Sequence, residues 1–365
     1  MMVQTLAKVI WAVGLGFSLS VHSQDYPSKP VKLIVPVATG AAFDTVTRIL
    51  AEKLRTKWGQ PVIVENRAGA SHNIGAEVVF KSTPDGYTML FAPPPSLVIN
   101  KSLFSKLAYD PEAFVPVSVV LSTYNVLVVN PSVPAESVQQ LIAYAKANPD
   151  RLNYASAGSG STPHLAAEMF KTMGGIKIAH IPFKGTSQAV LELLGGRVDV
   201  MFADIGLALP HIRSGKLRVL AVASEKRSSI LPNTPAMSEV LPGFLSLIWL
   251  GVVAPSGTPP AIANHFSSAI AEMLKQPDVS NRLLELNFEP VGSTPAAMAT
   301  FMEQERVRWR KVIRDSGATA DQLRIDGNQS SGMRCEARLM CLVGVGCRQD
   351  IPSAKGVSPS QDQTK

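Results

Sequence analysis

Short apolar runs that alternate with stretches of helical period are the feature that most narrows what this chain can fold into. "VKLIV" (31–35) sits between prolines and reads as a buried strand. The next helix runs from about Asp44 to Trp58: Val46, Ile49, Leu50 and Leu54 keep the 3.6-residue period, and Gly59 ends it. "PVIVEN" (61–66) is the next strand, "RAGASHN" opens a helix from about Ile74, and "TMLFA" (88–92) is a third strand. Strand, helix, strand, helix is the pattern of a parallel sheet covered on both faces.

A second series starts at "NVLVVNP" (125–131). It continues with a helix from Ala135 to Ala147, strand "LNYAS" (152–156) and a helix from Pro163 to Met173 stopped by Gly174 and Gly175. Strand "IKIAHIPF", helix "GTSQAVLELLGG", strand "VDVMFA", a short helix "IGLALPHIRSG" and strand "LRVLAVA" follow. "LIWLGVVAP" (247–255) matches 125–131 in length and valine content, and helices Pro260 to Lys275 and Pro295 to Ser316 complete the body. The expected architecture is α/β, with two lobes joined by two crossing strands and a ligand cleft between them. Lobe 1 is 24–124 plus 250–320, lobe 2 is 125–249, and Val126 to Val129 and Leu250 to Val253 are the links.

The bulk numbers fit two lobes with real cores: 365 residues, 46% hydrophobic and 17% charged. The net charge of +7 suits an acidic ligand, but no run of Lys or Arg reaches four and aromatics are 6%, which argues against a nucleic-acid groove. Lys8 precedes an apolar run from Val9 to Val21, too short for the ~20 residues that span a bilayer. With Val21 and Ser23 at the cleavage positions, residues 1–23 read as a signal peptide and the mature protein as exported. The body lacks cysteine; Cys335, Cys341 and Cys347 all lie in a tail, 321–365, that loses periodicity and is expected to be disordered, an altered reading frame being one account of it.

Chemistry concentrates in loops between strands and helices, where open parallel sheets hold ligands. "YASAGSGSTPH" is one. Gly158 and Gly160 let the backbone approach a ligand, and Ser156, Ser159 and Ser161 add hydroxyls. Thr162 is a plausible helix cap with Pro163 at the first turn, and the exposed N–H groups favour a negative group. "PVATGAAFD" is the counterpart in lobe 1. Taken alone, small residues before a helix also serve as plain turn chemistry. Neither loop matches a dinucleotide or phosphate-loop pattern, and no hydrolase nucleophile elbow occurs. His164 reads as a capping or ligand-contact residue; His72, His180, His211 and His265 show no metal spacing and read as core or surface residues. Asp44 caps its helix, or touches the ligand or orders its loop; Asp204 caps a helix or lines the cleft; Lys184 supplies a cation or is solvated; Arg67 and Asn73 order their loop or contact the ligand.

Together these stretches resemble the Bug family, the extracytoplasmic binding proteins of tripartite tricarboxylate transporters. The resemblance spans about 25–318, through "VPVATGAAFDTVTRILAEKL", "GQPVIVENRAGASHNIGAEVV", "YDPEAFVPV", "LNYASAGSGSTPHLAAEMF", "IPFKGTSQAVLELLGGRVDVMFADIGLALPHIRSGKLRVLAVAS" and "GVVAPSGTPPAI". It implies a two-lobed, periplasmic-binding-protein-like fold that closes on a small organic carboxylate and hands it to membrane transporter subunits. It implies no cofactor, metal, catalysis or nucleic acid, and a monomer. Carried over by position, the lobe 1 loop is Ala38, Thr39, Gly40, Ala41, Ala42, Phe43 and Asp44, with His72 and Asn73 nearby. The lobe 2 loop is Ser156, Ala157, Gly158, Ser159, Gly160, Ser161 and Thr162 with His164. Lys184, Gly185 and Thr186 form a further wall, with Asp204 beside it. Ala41, Ala42, Phe43, Ser71, His72 and Phe183 depart from the family pattern, and Phe43 and His72 point to an aromatic or bulkier carboxylate. A module that presents its ligand to a membrane sensor, and a secreted enzyme on the same scaffold, are the other readings.

Overall fold

One strand, Val115–Val129 (β4), is built into two different sets of neighbours. Its first part pairs antiparallel with Leu247–Ala254 (β9), from Val115↔Ala254 to Tyr124↔Leu247. From Asn125 on it pairs with Val200–Asp204 (β7) and Arg218–Val222 (β8). The computed structural model describes residues 26–320; the expected signal peptide and tail lie outside them.

On one side, Val31–Val35 (β1) lies between Val62–Asn66 (β2) and Thr88–Ala92 (β3), both parallel to it, and β3 joins β9 antiparallel. On the other side β7 runs parallel to Asn153–Ser156 (β5), which runs parallel to Ala179–Pro182 (β6). The order is β2-β1-β3-β9-β4-β7-β5-β6. The expected parallel sheet is therefore mixed, because β4 and β9 run antiparallel through its middle. The first ten residues of β4 were not legible as a strand: Pro116 and alternating Ser and Thr interrupt the apolar run. Pro116 is tolerated because the register slips there, between Pro116 and Ser118, so its missing N–H costs no ladder bond.

Helices Ala42–Trp58 (α1), Asn73–Phe80 (α2), Asn100–Leu103 (α3) and Val138–Ala147 (α4) follow in chain order. Then come Thr162–Gly174 (α5), Thr186–Leu194 (α6), Ile205–Arg213 (α7), Pro260–Leu274 (α8), Pro277–Glu285 (α9) and Pro295–Ser316 (α10). A two-residue strand, Glu289–Pro290 (β10), pairs with β4. Gly59 and Gly175 take the left-handed conformation that ends α1 and α5, as their positions suggest. The unexpected α9 has Pro277 in its first turn and buries Val279 and Leu283 one turn apart. One apolar core lies among β1, β3, β9, α1 and α8, and another among β7, α6 and α7. A third runs through both halves, from Leu90 and Leu97 to Phe170, Phe202 and Trp309, so α10 packs on α5 as well as on β4.

Two buried polar knots fix the crossing. Where β4 changes partners, Ser246 Oγ donates to Asn125 Oδ1 at 2.8 Å, and Asn125 Nδ2 donates to the Phe202 carbonyl. Both residues are fully buried. The change of partner at Tyr124 and Asn125 falls just before the link expected at Val126 to Val129. In the second knot, the indole N–H groups of Trp249 and Trp309 both donate to Glu305 Oε2, and Arg308 pairs with Oε1. Burial pushes the Glu305 carboxyl above its ordinary range, which these donors oppose. Replacing Asn125 with Leu strands the Ser246 hydroxyl and the Phe202 carbonyl, so a loss of about 2–4 kcal/mol is expected in urea unfolding. Ser246→Ala, which leaves only one acceptor unmet, is expected to cost about 1 kcal/mol.

Candidate functional site

The two loops singled out by sequence are built on one plan. Each leaves the carboxyl end of a parallel strand, β1 or β5, and enters a helix, α1 or α5. Each contains a glycine in left-handed conformation, Gly40 (φ 83°) and Gly160 (φ 80°), where a side chain would be strained. Each glycine N–H is received by the side chain four residues on: Gly40 by Asp44 Oδ2 at 2.8 Å, Gly160 by His164 Nδ1 at 3.0 Å. Asp44 is thus not the N-cap; that position is Ala41, and Asp44 is the third helical residue. Nor is Thr162: Ser161 caps α5, with its hydroxyl accepting from the His164 N–H and donating to the Gly158 carbonyl.

In the first loop Asp44 is 1% exposed and all its acceptors point inward. Burial favours its neutral form, but donors from Arg48, the Gly40 N–H and Asn66 outweigh this and hold its pKa below the ordinary value. Asn66 also donates to the Val37 carbonyl, tying the loop to β2. The half-buried Phe43 ring packs 5.9 Å from that of Phe288 at the margin of the core. Ala38, Thr39, Gly40 and Ala42 are exposed and Ala41 is half-buried. In the second loop Gly158 N–H goes to Ser156 Oγ and Gly160 N–H to His164. The N–H groups of Ala157, Ser159 and Thr162 have no acceptor among the described residues. Ser159 is 5% exposed, and its buried hydroxyl has no partner either.

β-pairing brings a second segment to this loop. Ser156 is in register with Pro182, and the Phe183 N–H donates to the Ser156 carbonyl at 3.0 Å. Exposed Lys184, then Gly185 and Thr186 at the start of α6, therefore lie beside it. Asp204 ends β7 at the same edge and caps α7 through its bond from the Gly206 N–H; burial raises its pKa. No hydrogen bond among the described residues joins 38–44 to 156–162. A methyl of Leu103, on α3, fills the space where a Cβ on Gly160 would sit.

The family profile described as "Tripartite tricarboxylate transporter family receptor" matches residues 46–318. Protein BugT of Bordetella pertussis is 38% identical over 312 residues, 85% of this chain and 96% of BugT. The chain belongs to this receptor family. A Rhodopseudomonas palustris protein solved with adipate superposes with a TM-score of 0.74 at 35% identity, covering 81% of this chain and 99% of that one. MatC from the same organism, with bound malate, gives 0.70 at 31% identity, covering 79% and 100%. The fold is that of the periplasmic solute-binding proteins.

Two further features of this family member bear on the site. Ala70, Ser71 and His72 all have positive φ (45°, 52° and 75°), strain on the order of 1 kcal/mol or more each. Burial pushes the His72 imidazole down to about 4, and its Nδ1 has no partner. Asn73 is occupied structurally: its Oδ1 lies 2.7 Å from Asn100 Nδ2 and 2.8 Å from the Tyr109 hydroxyl, and Asn100 also donates to the Ser71 carbonyl. Arg67 pairs with Glu65. Asn100 shows no signal in the sequence because "PPPSLVINKSLF" (93–104) folds into a π-turn and one helical turn without apolar period, and Tyr109 lies beyond it, outside any helix or strand.

His164 is 1% exposed and lies beneath its loop. Since Nδ1 accepts, its proton sits on Nε2, 4.0 Å from Glu168 Oε1. Burial, then Lys171, pushes its pKa down to about 4. A histidine depressed in the folded state leaves the unfolded chain to bind the proton first, so stability is lost as pH falls from about 6.5 towards 4. Asp204 and Glu305, raised by burial, act the other way. The comparison that isolates the histidine is therefore His164→Asn against the unsubstituted chain, in urea unfolding from pH 7 to 4.5. The variant is expected to show the shallower loss of stability, by about 1–3 kcal/mol across the window.

Proposed function

We propose that this chain is a periplasmic, monomeric receptor that binds a small organic carboxylate between its two loops and delivers it to the membrane subunits of a tripartite transporter. The observation that carries this is the second loop: three N–H groups without acceptors at the N-terminus of a 13-residue helix, around a buried serine hydroxyl that also lacks a partner. Buried polar atoms left unmet inside a fold are costly, and a carboxylate supplies the acceptors they lack. The helix dipole adds to the attraction. Charge-assisted hydrogen bonds contribute roughly 1.5–3 kcal/mol each, so a few outweigh ordering costs and reach ~1 μM, about −8.2 kcal/mol.

The first loop supplies the opposite wall, with the Thr39, Ala42 and Phe43 N–H groups free of protein acceptors among the described residues. Contacts from both loops to one ligand favour the closed arrangement of the lobes. Relatives solved with adipate and with malate support a carboxylate of a few carbons. Phe43 is half-buried against Phe288, which weakens its case for an aromatic ligand and leaves more of it to His72. The family consists of receptors, and the role proposed here is binding rather than turnover.

A thermal-shift screen against adipate, malate and aromatic acids tests the reading. A ligand at 100 times its Kd adds about 2.7 kcal/mol of apparent stability. At least one carboxylate is expected to raise the melting temperature by several degrees, and Ser159→Ala is expected to weaken it about tenfold. A folded protein that no carboxylate stabilises would refute the proposal.

A further inference from the structure

Beneath the second loop lies a stack of three rings. His180 on β6 has its ring centroid 4.3 Å from that of His164 and 4.8 Å from that of Tyr154, with interplanar angles of 22° and 15°. Each imidazole reaches one glycine of the loop. His164 Nδ1 accepts the Gly160 N–H directly. His180 Nε2 lies 2.7 Å from Ser156 Oγ, which accepts the Gly158 N–H at 3.1 Å. The base of the stack is pinned by Glu168, which takes the Tyr154 hydroxyl at 2.5 Å and Lys171 at 2.7 Å. Ser156, Tyr154 and His164 are buried, so these bonds are sheltered from competing water.

We infer that His180 and His164 are positioning residues for ligand capture: His164 engages the Gly160 N–H directly and His180 holds the Gly158 N–H through Ser156, and together they fix the turn that leaves the Ala157, Ser159 and Thr162 N–H groups facing the ligand. Donors that alternate between engaged and free require the glycines to be held; a loop whose glycines swing loses the shared direction of its donors. The ring shape alone does not explain the arrangement, since phenylalanine would stack as well. The nitrogens are what the loop uses. This rests on the reading that 156–162 holds the carboxylate.

The test separates the two ideas. Protein labelled with ¹⁵N-glycine reports amide exchange at Gly158 and Gly160, with Gly40, held by Asp44, as the internal reference. His164→Phe and His180→Phe keep the stack but remove the nitrogens. They are expected to speed exchange at Gly160 and Gly158 respectively at least about tenfold, with Gly40 unchanged. His164→Asn, which restores an acceptor near Nδ1, and His180→Gln, which restores a polar group near Nε2, are expected to return protection. Calorimetry with adipate and with malate is expected to show the Phe variants at least about tenfold weaker and the amide variants within about threefold of the unsubstituted chain. Should a Phe variant fail to fold, His180→Asn, too short to reach Ser156, takes its place against His180→Gln. Unaltered glycine exchange in the Phe or Asn variants overturns the positioning role whatever the ligand does. Glycines that respond as expected, in a protein that binds neither adipate nor malate, uphold the positioning and tell against the ligand reading.

Discussion

The passage of a single strand from one set of neighbours to another governs the rest of the molecule. At Asn125, β4 leaves β9 and continues beside β7 and β8, and a strand that does this must turn polar groups inward at the changeover. Asn125 and Ser246 meet that demand with side chains. The backbone does the rest: Asn125 N–H donates to the Ser246 carbonyl, Ser246 N–H to that of Ala223, and Ala223 N–H to that of Asn125. Every loop at the strand ends inherits its position from this closed ring of bonds, because β1 and β3 hang on β9 and β5 and β6 hang on β7.

The two loops solve one steric problem with electrically different parts. Both need a left-handed glycine and an acceptor for its N–H. In the first, the acceptor is a carboxylate whose charge Arg48 offsets at 3.0 Å. In the second it is a neutral imidazole, which burial keeps neutral. The positive end of α5 is therefore unopposed in its first turn, whereas that of α1 already has an anion there. A ligand with one charged and one less polar end would find the second loop the better place for its charge.

Much of this was legible in the sequence, and the failures have physical reasons. Strands such as 31–35 and 88–92 appeared with their observed ends because flanking Pro and polar residues bound short apolar runs. The first ten residues of β4 were invisible because burial there is shared with Ser and Thr that bond within the sheet. The loops were found because small residues before a helix are conspicuous, but their internal wiring was not. Asp44 and Thr162 looked like caps because cap residues are recognised by type, and a shift of three residues for Asp44 or one for Thr162 changes the role. His180, read only as a core or surface residue, lies 24 positions from Ser156; only the parallel pairing of β5 and β6 brings them together. The mixed direction of the sheet was equally hidden, since apolar runs carry no arrow.

Gly160 leaves room for a methyl of Leu103 where a Cβ would sit, so a single missing carbon lets α3 close on the second loop. Leu103 also receives the Ala320 N–H on its carbonyl, so the same residue anchors the end of the described chain. A larger side chain at position 103 would press on Gly160, and through it on the second loop, although Leu103 itself is no residue assigned to the ligand. In a family of receptors, such a packing contact is a place where the shape of a loop can drift while the loop's own sequence stays the same.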